Sequence, residues 1–284
     1  MPIALAVCSA VIYGTSDFLG GILTRRYPPW SVVVVVQTSS AVSAFVFAFL
    51  IPGNLTASDF VFALGAGLCG GLGMGFLYRG LSTGRMSVIA PVSALGTAFV
   101  PVVVGIVQGD DLRRYALAGI AFIFPAIYLI SKTGSRMWSQ RTSQLEVESG
   151  SSTIYGVAAG LGLGLSLAFL GQIGSTSGMI VVAIMQTGSA AVVVTVAMML
   201  KVSWIPSRQI FYRAWPIGSM NVLGIGSFLY ATHSGRLSIV AVIASLYPAV
   251  TVLLAAALLK DRVNGIQAAG LALGTTAVVL IVIG

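Results

Sequence analysis

Long apolar runs occupy most of this chain, and they constrain its fold more than any motif does. Hydrophobic residues make up 57% of the 284 residues and charged residues make up 8%, whereas a soluble domain carries about a quarter charged residues. A soluble fold of this length would have too few polar residues to cover its surface. We therefore expect an all-α integral membrane protein, because a lipid-exposed backbone must satisfy its own hydrogen bonds.

Polar residues, glycines and prolines divide the apolar sequence into ten runs, each close to the roughly 20 residues that a helix needs to cross a bilayer. A β-barrel would show short alternating segments instead. The first run lacks a basic leader and a small-residue cleavage site, so we expect it to be retained as a helix. The predicted helices 1 to 10 span residues 3–23, 30–51, 59–78, 87–107, 115–131, 153–173, 178–200, 212–232, 237–259 and 266–283.

Five short motifs of the first half recur in the second half at offsets of 149 to 152 residues. In this register Gln37 matches Gln186, and Tyr78 matches Tyr230. Because five is odd, the second set of helices would enter the membrane in the opposite orientation, which is typical of secondary transporters with a midplane binding site. The predicted units are a first five-helix repeat at 1–131, a polar linker at 132–152 and a second five-helix repeat at 153–284.

Lysine and arginine residues mark one side of the predicted bundle. Loops that follow odd-numbered helices carry 12 of the 15 basic residues, and loops that follow even-numbered helices carry the other 3, which are Arg113, Arg114 and Arg236. The two membrane faces are named the odd-loop side and the even-loop side after these loops. Because cytoplasmic loops are enriched in basic residues, this count places the odd-loop side in the cytoplasm and both termini outside.

Residues able to do covalent or metal chemistry are few and scattered. Cys8 and Cys69 lie inside apolar runs, and His233 is the single histidine. Neither a disulfide scaffold nor a metal or cofactor site is therefore expected. An intramembrane enzyme generally needs paired carboxylates or a nucleophile beside a base, and the chain has no G-x-x-x-x-G-K-[ST] loop for ATP. The basic residues flank apolar runs, which disfavours nucleic acid as a partner.

Polar side chains inside the predicted helices are candidates for a substrate site. Asp17 lies well inside helix 1, and an intramembrane carboxylate is costly to bury. It could carry a coupling proton, hold a substrate ammonium or form a structural pair with an arginine. The repeat-related amides of Gln37 and Gln186 could bind both ends of a zwitterion, or they could join helices by hydrogen bonds.

Tyrosine and serine residues extend this candidate set. Tyr78 and Tyr230 could line a cavity or belong to the interfacial aromatic belt. Ser93 and Ser245 add polar groups to helices 4 and 9, whose prolines weaken backbone hydrogen bonding and favour bent or broken helices near a midplane site. The candidate substrate-binding residues are Asp17, Gln37, Tyr78, Ser93, Gln186, Tyr230 and Ser245, with Asp17 also the coupling candidate.

The sequence around helix 9 is similar to a known family. Residues 244–248 (ASLYP) contain an early proline, residues 260–262 (KDR) an acidic-basic pair, and residues 267–270 (QAAG) a Q-x-x-G start. This order resembles the EamA-like families of the drug/metabolite transporter superfamily, with aspartate in place of the usual glutamate. In the first half, Thr97 stands at the position of the proline and Asp110 at the position of the acidic residue.

The resemblance implies a ten-helix metabolite exporter of the bacterial inner membrane, similar to the YddG-type amino-acid exporters. Members are commonly drawn with both termini in the cytoplasm, which is opposite to the charge count. Together with the repeat, the resemblance favours a secondary active transporter that exports small amphipathic metabolites such as aromatic or other neutral amino acids. Transport would proceed by alternating access around a cavity between the repeats.

A facilitative channel or uniporter for small solutes is the main alternative, and an intramembrane enzyme is a less favoured one. The expected partners are a small-molecule substrate and the lipid bilayer. The sequence leaves the oligomeric state open, and it is compatible with a monomer.

Overall fold

Helices form all the regular secondary structure in the described part of the chain, and this confirms the all-helical class that the sequence predicts. The computed structural model describes residues 1–24, 26–83, 86–110, 114–134, 149–259 and 265–283. Most of the predicted polar linker lies outside these ranges. Within them the helices are α1 (Pro2–Thr24), α2 (Pro29–Leu50), α3 (Ala57–Thr83), α4 (Met86–Val107), α5 (Arg114–Gly134), α6 (Ser149–Leu170), α7 (Ile180–Met199), α8 (Arg208–Thr232), α9 (Leu237–Ala244), α10 (Tyr247–Leu259) and α11 (Gly265–Ile283).

Several helices have the length and composition of membrane spans. Among the described residues, four helices are long and apolar enough to cross a bilayer, namely α1, α2, the Ala57–Leu77 part of α3, and α7. Large apolar side chains also cover the outer surface, and Phe49, for example, is 90% exposed. Lipid is the environment that suits such a surface, because apolar patches of this extent are not stable in water.

The predicted helix over residues 237–259 is interrupted, as its proline suggested, and the structure contains two helices there. The interruption falls at Ser245 and Leu246, between α9 and α10. The Leu246 backbone N–H donates to the Ile243 carbonyl oxygen at 3.1 Å, which is the tighter bonding of a helix end. Pro248 has no backbone N–H, so it cannot continue the α-helical ladder across this point. Helix α4, which contains Pro101, is continuous.

Eight of the predicted spans pack in a ring. Each helix of the ring contacts the next one in the order α1, α8, α2, α7, α3, α6, α4, α9. The ring closes where α9 and α10 both contact α1. Helices α5 and α11 pack on each other, and α5 also contacts α4, α9 and α10, so this pair flanks the ring. Each pair of neighbouring helices in the ring has an equivalent when the two halves are exchanged. The α1–α8 pair, for example, corresponds to the α6–α3 pair.

The apolar core is distributed unequally along this ring. The largest buried cluster contains Ala6, Leu170, Met179, Phe228 and Val240, all of which lie near the even-loop ends of their helices. The odd-loop half holds two smaller clusters, one among α1, α2 and α8 and one between α2 and α7. The interior is thus filled by apolar side chains mainly on the even-loop side.

Candidate functional site

Asp17 lies inside the ring of helices. Two residues that precede Asp17 contact different neighbours of α1. The Ser9 hydroxyl donates to the Gly224 carbonyl oxygen of α8 at 2.9 Å, and the Gly14 carbonyl oxygen accepts from the Thr251 hydroxyl of α10 at 2.9 Å. A periodicity of 3.6 residues per turn places Asp17 between these two contact faces. The Asp17 side chain is exposed, although it lies on the face of α1 between these two contacts. It therefore borders a space that protein atoms do not fill.

Gly20 extends the same open face of α1 by one turn. A methyl group built at Gly20 would meet no atom within 4 Å. Residues three apart lie on one side of a helix, so this empty space adjoins Asp17. The open volume lies towards the odd-loop end of α1, away from the large apolar cluster at the other end.

Two tyrosines accompany the carboxylate. Tyr13 is one turn before Asp17 on α1, and Tyr247 is the first residue of α10. Both phenols lie within electrostatic range of Asp17. Gly14 makes this arrangement possible, because a methyl group there would lie 2.5 Å from the Tyr247 carbonyl oxygen and 2.5 Å from the Val250 Cβ. The absence of a side chain at Gly14 lets the first turn of α10 lie directly against α1.

The interruption of helix 9 lies next to this cluster. Ser245 is 1% exposed, and its hydroxyl donates to the Ala241 carbonyl oxygen at 2.7 Å. Its side chain is thus engaged with its own helix. Two residues later the chain reaches Tyr247, which lies within electrostatic range of Asp17. Ser245 is thus connected to the Asp17 cluster along the chain, and its described hydrogen bond is to its own helix.

The two repeat-related glutamines are buried between helices. Gln37 is 6% exposed and Gln186 is 3% exposed. The Gln37 side-chain N–H donates to the Ser189 hydroxyl of α7, which is the interhelical bond expected of an amide that joins helices. For Gln37 this contact favours the packing interpretation, and a direct role of either glutamine in substrate binding stays a prediction.

An apolar groove lies between α2 and α7, on the outer face of these helices. It has a volume of about 510 Å³, and Thr38, Phe45 and Thr187 are among its lining residues. As far as the structure describes this lining, it includes neither Gln37 nor Gln186, and it includes no residue of α1 or α10. The groove is therefore separate from the space beside Asp17.

The remaining predicted site residues lie elsewhere. Ser93 of α4 is 4% exposed, and its carbonyl oxygen accepts from the Thr97 hydroxyl at 2.8 Å. Tyr230 lies near the even-loop end of α8, where its ring meets the His233 ring edge-on with centroids 5.5 Å apart. The side chain of Tyr78 lies outside the described residues. Tyr230 and the Asp17 cluster therefore lie at different depths along the helix axes.

His233 occupies the turn after α8. Burial lowers the pKa of its imidazole because the charged form loses solvation, while the Ile173 backbone and the nearby charge of Asp59 act in the opposite direction. Its Nε2 atom is buried without a hydrogen-bond partner among the described residues. The surroundings of this turn therefore favour the neutral form of the His233 imidazole.

Sequence reasoning missed two polar residues in the region of Asp17. Tyr13 precedes Asp17 by four residues, a spacing that already indicates a shared helix face. Asn221 of α8 is half-buried and lies one turn before Gly224, which contacts α1. Because α8 runs antiparallel to α1, with Gly235 against Pro2 and Gly224 against Ser9, Asn221 lies beyond Ser9 in the direction of Asp17. An amide within an apolar helix was the available signal.

These features define an integral multi-pass membrane protein. The EamA-like transporter family matches the chain twice, over residues 1–132 and 150–283. The protein belongs to this family and is a membrane transporter of small solutes. Family members are transporters rather than enzymes.

A solved structure supports the fold independently. One crystal structure of a protein matches 97% of this chain and 98% of its own chain, with a TM-score of 0.71 and 14% sequence identity. At this identity the likeness concerns the fold alone. A comparison with curated proteins finds no match.

Proposed function

We propose that this protein is a secondary active transporter that exports small amphipathic metabolites, such as aromatic or other neutral amino acids, across the bacterial inner membrane. The YddG-type exporters are the proposed functional analogues. Transport proceeds by alternating access around the interior that contains Asp17. The observation that carries this proposal is a carboxylate within a membrane helix whose side chain borders a space that protein atoms do not fill.

The packing of the helices supports alternating access. Every pair of neighbouring helices in the ring has an equivalent when the halves are exchanged, and the α2–α7 and α4–α9 pairs each correspond to themselves. An inverted-topology repeat would produce this pattern, and two such halves can rock about a central site. The interruption between α9 and α10 adds a non-helical backbone segment beside the interior, as substrate sites of transporters commonly have.

Asp17 is the proposed ligand for a positively charged group. A carboxylate can accept hydrogen bonds from a substrate ammonium, and such a charged bond contributes about 1.5–3 kcal/mol. The Tyr13 and Tyr247 rings supply apolar walls with polar tips, which suits an amphipathic substrate. A proton can occupy the same carboxylate when the substrate leaves, and this exchange would couple export to proton entry.

Counterflow in proteoliposomes tests the proposal. Purified protein is screened with neutral amino acids, organic cations and organic anions, and saturable counterflow of an amine-containing solute is expected. Asp17→Asn should raise the apparent KM of that solute roughly 10- to 150-fold, which corresponds to the lost charged hydrogen bond. Asp17→Glu should retain part of the affinity.

Thr15→Ala is the matched control on the same helix, because the Thr15 hydroxyl bonds only the Val11 carbonyl oxygen of α1 among the hydrogen bonds described. It should leave the apparent KM unchanged. Flux that does not saturate would favour the channel alternative, and an unaltered apparent KM in Asp17→Asn would contradict the proposed role of Asp17.

A further inference from the structure

A polar contact joins α4 to α9 at the even-loop side. The Asp110 carboxylate, just after α4, accepts from the Ser238 backbone N–H at 3.1 Å and from the Ser238 hydroxyl at 2.7 Å. Ser238 is 0% exposed. Gly105 lies directly against the Ser238 hydroxyl, so that a side chain at Gly105 would separate the two helices.

The carboxylate caps the start of a helix. Ser238 is the second residue of α9, and the first N–H groups of a helix have no partner within it. The N-terminal end of a helix also carries partial positive charge, which favours a carboxylate there. The Asp110–Ser238 contact therefore satisfies a buried donor that would lose its partner if α4 and α9 moved apart.

Other contacts between the two halves lie on the same side of the membrane. The Asp59 carboxylate at the start of α3 accepts from the Gly174 backbone N–H at 2.8 Å. The Gln108 side-chain N–H donates to the Gln172 side-chain oxygen at 2.7 Å. Together with the large apolar cluster, these bonds close the even-loop end of the ring, while the open space beside Gly20 lies towards the other end.

The broken helix gives its two parts different partners. Helix α9, on the even-loop side, packs on α4 as well as on α1, whereas α10 packs mainly on α1 and α5. An interruption between them allows one part to keep its contacts while the other changes neighbours. The contact of α4 with α9 can thus form and break without disturbing the packing of α10 on α1.

We propose that the even-loop end of the ring is a gate and that the Asp110–Ser238 contact is a latch that holds this gate closed. The latch is released when the interior opens to the even-loop side. The proposal rests on alternating access, as stated under the proposed function. In the repeat register, Asp110 corresponds to Asp261 and Ser238 corresponds to Ser87. Asp261 and the side chain of Ser87 lie outside the described residues, and the equivalence is one of sequence.

Thiol labelling of the interior measures the gate without requiring transport. Cys8→Ser, Cys69→Ser and Gly20→Cys are combined in the full chain, so that one thiol faces the open space. A membrane-impermeant maleimide is applied to vesicles of each orientation, and the ratio of even-side to odd-side labelling rates is measured. Asp110→Ala should raise this ratio roughly tenfold. Ser238→Ala, which keeps the backbone N–H bond, should raise it less.

Two further variants sharpen the result. Ser166→Ala is the control for loss of a buried serine hydroxyl, because the Ser166 hydroxyl donates to the Ala66 carbonyl oxygen at 2.7 Å and not to Asp110, and it should leave the ratio unchanged. Asp261→Ala should lower the ratio. A folded Asp110→Ala variant with the parent ratio would overturn the latch.

The outcomes separate the two proposals. If the Asp110→Ala variant fails to insert into the membrane, the Ser238→Ala variant tests the latch instead. An unchanged labelling ratio in Ser238→Ala then overturns the latch. Counterflow by the parent together with an unchanged ratio contradicts the latch and leaves the proposed transport standing. Absence of counterflow in the parent contradicts the proposed function, while a raised ratio in the same protein still supports the latch.

Discussion

Adding one methyl group at either of two glycines of α1 should have opposite consequences for stability. At Gly14 the new Cβ would lie 2.5 Å from the Tyr247 carbonyl oxygen and 2.5 Å from the Val250 Cβ. At Gly20 it would meet nothing within 4 Å. The Gly14→Ala and Gly20→Ala variants therefore add the same group to the same helix and differ in whether α10 must move.

The size of the difference follows from the contacts at Gly14. An ordinary carbon contact needs about 3.5–4.0 Å, so α10 must retreat by about 1 Å or more at its first turn. Overpacking of this kind costs about 1–3 kcal/mol. The gain in helix propensity on replacing glycine by alanine, about 1 kcal/mol, is shared by both variants and cancels when they are compared. Gly14→Ala should thus be less stable than Gly20→Ala by about 1–3 kcal/mol.

Reversible unfolding in mixed micelles, followed by circular dichroism, measures this difference. Counterflow of the substrate found in the screen gives a second readout, because a displaced Tyr247 should also weaken binding beside Asp17. Equal stability of the two variants would refute the close approach of α10 to α1 at Gly14.

Three other predictions have defined outcomes. Gly20→Leu should fill the open space and reduce the counterflow rate at least about tenfold without lowering the melting temperature; normal counterflow would mean that this space is not on the transport path. Gln37→Ala and Ser189→Ala should each destabilise the protein by about 1 kcal/mol, and the double variant should cost less than their sum; full additivity in a double-mutant cycle would argue against their bond. Because burial lowers the pKa of His233, the folded state binds fewer protons than the unfolded state, so stability should fall between pH 7.5 and 5.5, and His233→Gln should reduce this fall in thermal unfolding; an equal fall in that variant would assign the pH dependence to other groups.

The sequence predicts the features that depend on local pattern, and it does not predict those that depend on tertiary contacts. The helices and the helical class follow from runs of apolar residues, because the bilayer imposes both the length and the backbone bonding of a span. The interruption at Ser245 could be suspected from Pro248 but not located, since Pro101 leaves α4 continuous. Its position depends on the contact of α10 with Gly14, which lies more than 200 residues away in the chain.

The candidate site shows the same division. Asp17 could be singled out because a carboxylate inside an apolar run is rare and costly. The partner of Gln37 could not be deduced, since an amide serves equally well in a cavity or between helices. Asp110 was visible as the residue at the acidic position of the first half, yet its pairing with Ser238 arises only when the end of α4 meets the start of α9.

Protection of an interior thiol by substrate tests the central claim, that solute binds beside Asp17, most directly. With Cys8→Ser and Cys69→Ser in place, the labelling rate of Gly20→Cys is measured with increasing concentrations of the solute found by counterflow. We expect saturable protection at concentrations near the apparent KM, and loss of that protection at the same concentrations when Asp17→Asn is added. Labelling that the solute does not slow, or protection that persists without the carboxylate, would contradict the claim.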